Sequence, residues 1–265
     1  MSDLKLLFLG DVVGSSGRAV IAEHLPQLRA DFQIDLVVAN AENSAHGFGL
    51  TPAVAQELFS AGCDVLTGGN HSFDKKEVNQ CFQEHPTKIL RPANYPSGTT
   101  GRGSSVVTTR SGKSVGVINL MGRIFMEPLD CPFQTFDKEY ESLRHQTKVI
   151  LVDIHAEASS EKQAMGFHCD GRASCIVGTH THVPTADERI LPKGSGFLTD
   201  AGMNGAYDSV IGMKKEIILD RFLKRQHIRM EVADGPGTLS GVLFHIDSTS
   251  GRCEKVERIR REARR

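Results

Sequence analysis

A chain of 265 residues, 39% of them hydrophobic, is long enough to bury one large α/β core, and no Pro-, Gly- or Ser-rich stretch divides it. One domain spanning 1–265 is therefore expected. Thirty-one Lys and Arg against 32 Asp and Glu give a net charge of −1, which argues against nucleic-acid binding through a global basic surface but leaves room for a local positive site.

No apolar stretch approaches the length of a membrane span, and the six cysteines form no C-x-x-C pair, so a soluble, cytoplasmic chain with reduced thiols is expected. The apolar run 6–10 reads as a buried strand closed by Asp11. Gly14-Ser15-Ser16-Gly17 then leads into a helical pattern over 18–32 and is at most a weak phosphate cradle. A second run, 36–41, ends in Glu42-Asn43, followed by the Gly-rich loop His46-Gly47-Phe48-Gly49. Thr51-Pro52 starts a helix, with Thr as N-cap and Pro in the first turn, and Gly62 closes it. The run 65–69 ends in Asn70-His71. Asp74 with Glu77 fits a capping-box-like start for a helix that stops before Pro86.

The middle of the chain changes pattern. Segments 105–109 and 114–119 flank Arg110-Ser111-Gly112-Lys113 and read as a hairpin. Gly112-Lys113-Ser114 is not a P-loop, because the required upstream glycine is Val107 and Lys113 enters a strand. A strand ending in Leu120-Met121-Gly122 precedes Arg123. Helices are expected at 134–146, 160–169 and 213–225, and late strands near 196–199 and 239–246. The run 149–154 ends at His155, and 175–177 leads into Gly178-Thr179-His180-Thr181-His182. The charged run 257–265 reads as a solvated or subunit-contact tail of a homo-oligomer, since acidic residues interrupt its basic ones. Strand-loop-helix units followed by hairpins suggest an α/β fold of two mixed sheets with helices outside.

Asp11, Glu42, Asn43, Asn70, His155, His180 and His182 share one property: each sits just past an apolar run. Open α/β sheets bind ligands beyond the carboxyl ends of their strands. Alone, each residue has an ordinary reading as a cap, a turn or a hydrogen-bonded core histidine. Together they are hard to explain by turn chemistry. His180 and His182, two apart in an extended segment, point to one side. The set mixes oxygen and imidazole donors without a thiolate, which favours iron, manganese or zinc. Seven donors exceed the four of a structural zinc site and suggest two ions, about 3.5–4 Å apart in binuclear hydrolases.

These blocks resemble the calcineurin-like metallophosphoesterases, and more closely their YmdB-like bacterial subfamily. The closer likeness rests on Gly10-Asp11-Val12-Val13-Gly14, Ala41-Glu42-Asn43-Ser44-Ala45, Gly69-Asn70-His71-Ser72-Phe73-Asp74, Asp153-Ile154-His155-Ala156-Glu157 and the His180/His182 block, and continues through Asp200-Ala201-Gly202-Met203. The broad superfamily begins with Asp-x-His, whereas here Val13 stands where that histidine would be. Asn43 compensates for it in the subfamily pattern. The resemblance implies a four-layer α-β-β-α sandwich. It also implies one ion on Asp11, Glu42, Asn43 and His182, and a second on Glu42, Asn70, His155 and His180. The activity it implies is hydrolysis of phosphodiesters, including 2′,3′-cyclic nucleotides, by a metal-bridging hydroxide attacking phosphorus.

His71, next to a ligand position, is expected to serve catalysis by donating to the leaving oxygen or stabilising the phosphoryl group; supporting Asn70 is its alternative role. Arg123 is a candidate for holding a phosphate oxygen, or a solvated loop arginine. Asp153 is a candidate for orienting an imidazole, or a strand-end turn residue. Two rivals to the phosphodiesterase remain: a phosphomonoesterase or nuclease with the same centre, and a metal-holding regulator of RNA turnover acting through partners. The absence of Trp and only three Tyr weaken the nuclease version.

Overall fold

The computed structural model of the chain describes residues 3–226 and 228–264. The first part runs β1 (Leu4–Leu9), β2 (Asp11–Val12), α1 (Gly14–Phe32), β3 (Leu36–Asn40), α2 (Pro52–Ala61), β4 (Val65–Thr67) and α3 (Val78–Glu84). There follow β5 (Ser104–Thr108), β6 (Ser114–Met121), α4 (Pro132–Leu143), β7 (Ile150–His155), α5 (Ser159–Cys169) and β8 (Cys175–Thr179). The last part holds β9 (Arg189–Ile190), β10 (Gly196–Leu198), β11 (Met203–Ala206), α6 (Lys215–Lys224), β12 (Gly237–Ile246) and β13 (Cys253–Glu262).

One sheet has the order β2-β11-β12-β1-β3-β4, with β13 also paired to β12; the other has the order β5-β6-β7-β8-β10-β9. Both are mixed. β1, β3 and β4 run parallel while β12 is antiparallel to β1, and β6, β7, β8 and β10 run parallel while β5 is antiparallel to β6.

The side chains of β1 explain the layering. Alternate residues of a strand face opposite sides. Leu7 and Leu9 pack with α1, α2 and α3 residues such as Ile21, Leu58 and Val78. Leu4, Leu6 and Phe8 pack against Val117, Leu151 and Val177 of the other sheet. The outer face of that second sheet, through Ile118, Val152 and Ile176, meets Phe136 of α4 and Met165 of α5. Three apolar layers thus separate four structural ones, in the order helix, sheet, sheet, helix. Strands buried on both faces read as unbroken apolar runs, and their first polar residue marks the sheet rim.

Several details differ from the sequence reading. The Gly14-Ser15-Ser16-Gly17 segment is the first turn of α1 rather than a loop, with the Gly17 amide donating to Val13 O at 3.1 Å. Asp74 caps no helix: α3 starts at Val78 after Glu77, which makes no side-chain cap bond. The charged C-terminal run is not a tail but β13, in antiparallel register with β12 from Thr238–Glu262 to Ile246–Cys253. Only Cys253 and Ile259 of β13 are buried, so its charges lie on an outer strand, where they discourage pairing with other chains. Arg265 of that run lies outside the described residues. Among the described residues no helix is long and apolar enough to cross a membrane, and all six cysteines are free.

Candidate metal centre and cleft

The strand rims bring the expected donors together. The register aligns Met121, His155 and Thr179 across the second sheet, and Asn40 with Thr67 across the first. Thr67 Oγ1 donates to Asp153 Oδ2 at 2.5 Å and so ties the two rims together. His155 Nε2 lies 2.9 Å from both Asn70 Oδ1 and Glu42 Oε1, and 3.1 Å from His180 Nδ1. Donor atoms of Glu42, His155 and His180 all lie within 4.8 Å of one another. Asp11 Oδ1 is 3.8 Å from His155 Nδ1 and 3.8 Å from His182 Nε2, which extends the group to the first sheet. Asn43 follows Glu42 at the same rim and turns its Nδ2 to Gly47 O at 3.0 Å.

Each imidazole is held by its outer nitrogen, which fixes the ring and frees the inner one. His155 Nδ1 contacts Thr179 Oγ1 at 2.9 Å, and that hydroxyl donates to Asp153 Oδ1 at 2.8 Å. Asp153 therefore orients His155 through Thr179 instead of ending a strand as a turn residue. His180 Nε2 faces Glu157 Oε2 at 3.1 Å, and His182 Nδ1 donates to Ile211 O at 2.8 Å. The two loop histidines have φ of 97° and 63°, a region disfavoured for residues with a side chain. Asp200 holds the loop between them, accepting from Thr181 Oγ1 at 2.6 Å and from the buried Lys162 Nζ at 2.6 Å. Asn40 also supports the rim by accepting from the Glu42 amide at 3.2 Å and donating to Gly68 O at 3.1 Å.

The electrostatics of the cluster ask for a cation. Burial pushes Asp11 up to about 7, opposed by His155 and reinforced by Asp200 and Glu42. Burial raises Glu42 as well. Burial lowers His155 to about 4 and His180 to about 3, and also lowers His182. The histidines are thus neutral, as ligands must be, and the carboxylates lack a counter-charge. Asp11 Oδ1 and Asn43 Oδ1 are buried with no hydrogen-bond partner. Such orphaned acceptors are costly, and a bound cation would satisfy both.

A cleft of about 500 Å³ opens over Asn70 and His180, and its wall also includes His71, Asp74, Phe125, Met126 and Glu127. The His71 amide donates to Glu42 Oε2 at 2.9 Å. Its Nδ1 meets Asp74 Oδ2 at 2.8 Å and its ring makes an edge contact with Phe48, so Nε2 is the nitrogen that Asp74 leaves unengaged. The structure does not bring the Arg123 side chain to this wall. That side chain is exposed, while the Arg123 amide donates to Glu161 at 3.0 and 3.1 Å.

Sequence reasoning missed Asp74 as the partner of His71, and it missed Thr179, Lys162 and Asp200 as supports. Asp74, three residues after His71, carried a usable spacing signal; the others meet their partners only through the fold.

The chain is similar to known proteins in sequence and fold. The sequence profile of the YmdB-like protein family matches residues 7–259. A 2′,3′-cyclic-nucleotide 2′-phosphodiesterase of Bacillus subtilis (strain 168) is 47% identical over 256 residues, covering 97% of this chain and 96% of its own. A crystal structure of a hypothetical protein from Thermus thermophilus superposes with a TM-score of 0.92 at 39% identity, covering 98% of this chain and all of that one. Another, of a novel phosphatase from Mycoplasma pneumoniae, gives 0.91 at 36% identity, covering 99% and 95%. With its four layers, its rim of oxygen and imidazole donors and a match over nearly its whole length, the chain belongs to the YmdB-like family.

Proposed function

We propose that this enzyme hydrolyses small phosphodiesters, 2′,3′-cyclic nucleotides among them, at a pair of metal ions. Asp11, Glu42, Asn43 and His182 would hold one ion, and Glu42, Asn70, His155 and His180 the other. The observation that carries the reading is the cluster of neutral histidines around buried carboxylates, with the Asp11 and Asn43 oxygens left unpartnered. The name of the Bacillus subtilis relative supports the choice of substrate. A donor set without thiolate fits iron or manganese, with zinc also compatible. When bound, the ions supply Lewis-acid neutralisation of the phosphoryl oxygens and a water of lowered pKa.

The chain's own groups do the rest. Asp74 fixes the His71 ring, so that Nε2 can give a proton to the leaving ribose oxygen as the P–O bond breaks. Glu42 holds the His71 amide while serving as a ligand, which ties proton donor and metal centre into one unit. None of the seven wall residues is Lys or Arg, and two are carboxylates. Such a cleft suits the single negative charge of one diester better than a monoester dianion or a polymer.

His71→Ala tests the assignment. Turnover of 2′,3′-cyclic AMP should fall about 10²- to 10⁴-fold while metal content by elemental analysis stays at the wild-type value. Parallel loss of metal would make His71 a support for Asn70 instead. Wild-type protein that cleaves mono-p-nitrophenyl phosphate in preference to the bis ester would move the reading to a monoesterase.

A further inference from the structure

The cleft wall contains three residues that the metal and phosphate chemistry does not use, Phe125, Met126 and Glu127. Phe125 is 89% exposed, the most exposed of the large hydrophobic side chains described, and it lines the same cleft as Asn70, His71 and His180. Its φ is 61°, a conformation that a bulky side chain rarely adopts. Both stems of its loop are fixed. The buried Glu161 carboxylate accepts from the Arg123 amide at 3.0 and 3.1 Å and from the Ile124 amide at 3.2 Å. The buried Asn94 side chain donates to Met121 O at 2.8 Å and to Asp130 O at 3.0 Å. A tethered loop thus presents an aromatic ring in a disfavoured backbone state. Residues held this way cluster at ligand clamps.

We propose that Phe125 is the stacking surface for the nucleobase of the substrate, with Met126 beside it. The inference rests on the phosphodiesterase reading above. The shared cleft points to the occupant: Asn70 and His180 line the same space as Phe125, so a diester whose phosphate meets the first two has the ring within the cleft that takes its remainder. A base presents a flat π-face to a phenyl ring, and such stacking tolerates any base. A cleft of about 500 Å³ is within the range of small-ligand sites. The two wall carboxylates, Asp74 and Glu127, disfavour a polyanionic strand continuing past that base.

The test compares 2′,3′-cyclic AMP with the baseless 1-O-methylribose 2′,3′-cyclic phosphate, using manganese-loaded wild type, Phe125→Ala and Phe125→Trp. Phe125→Ala should lower kcat/KM for the nucleotide about tenfold, through KM, and leave the baseless ester unchanged. Phe125→Trp should retain the wild-type value. An alanine variant that handles the nucleotide as wild type does, or that loses both esters equally, overturns the stacking role while the phosphodiesterase reading stands. Wild type inactive on both esters sinks the phosphodiesterase reading and the subsite with it.

Discussion

Gly69 shows how tightly the centre is drawn. A Cβ there would collide with His155 Nε2 and stand 2.5 Å from Glu42 Oε2, so the absence of a side chain is what lets the Asn70 loop close on its partners. Gly69→Ala should therefore push the Asn70 loop off His155, with bound metal by elemental analysis falling to half or less. The fold should remain, since the clash lies at the rim and not in the apolar layers; unchanged circular dichroism checks this. Full metal occupancy in that variant would mean Asn70 is not a ligand. At this scale the sequence was readable wherever chemistry and position coincide: Asp11, Glu42, Asn70, His155 and the histidine pair are donor types placed where strands stop. The supporting residues were not. Thr179 looks like a spacer inside Gly178-Thr179-His180, yet its hydroxyl passes the Asp153 contact to His155. Asp74 has the spacing of a helix cap, but the cap position is taken by Glu77 and the carboxylate turns to His71.

Helix α5 and the segment after β10 form a second unit, joined by a buried ion pair. Lys162 and Asp200 are 1% and 0% exposed, and Asp200 also accepts from Thr181 Oγ1 and the Gly202 amide. Removing one member of such a pair strands the other's charge, which costs about 3–5 kcal/mol, whereas removing both charges together is often close to neutral. Lys162→Met should thus lose about that much stability in urea unfolding, and Lys162→Met combined with Asp200→Asn should regain more than half of it. Strictly additive losses would show that the two groups act independently. No lysine in a helical stretch announces such burial, because the pairing spans 38 residues of sequence. The strands themselves divide along the same line. β1, β3, β7 and β8 are buried on both faces and stand out as apolar runs. β13, with charge at most positions, gave no strand signal, because a strand that flanks β12 at the outside of the sheet needs few apolar residues.

The whole molecule carries the imbalance of its centre as a pH dependence. A carboxyl whose native pKa is raised binds more protons folded than unfolded between the two values, so stability falls as pH rises through that window. Asp11, moved from 3.8 to about 7, and Asp153, moved from 3.8 to about 8, both act this way, each through burial. A histidine whose native pKa is lowered does the opposite. His155, moved from 6.5 to about 4, and His180, moved from 6.5 to about 3, add stability as pH rises to 6.5 and nothing beyond. Below 6.5 the two sets oppose each other; between 6.5 and 8 only the carboxyls still act. Metal-free protein should therefore lose Tm across pH 6.5 to 8, as measured by scanning calorimetry. Manganese-loaded protein should lose less, because a cation beside Asp11 removes the penalty for ionising it while Asp153, no ligand, keeps its own. The same linkage requires Asp11 to release its proton when manganese binds at pH 6.5, detectable as buffer-dependent heats in titration calorimetry. A metal-free Tm that rises over this interval, or metal uptake with no proton release, would mean that the buried carboxyls are already ionised and that a counter-charge other than a metal stands beside them.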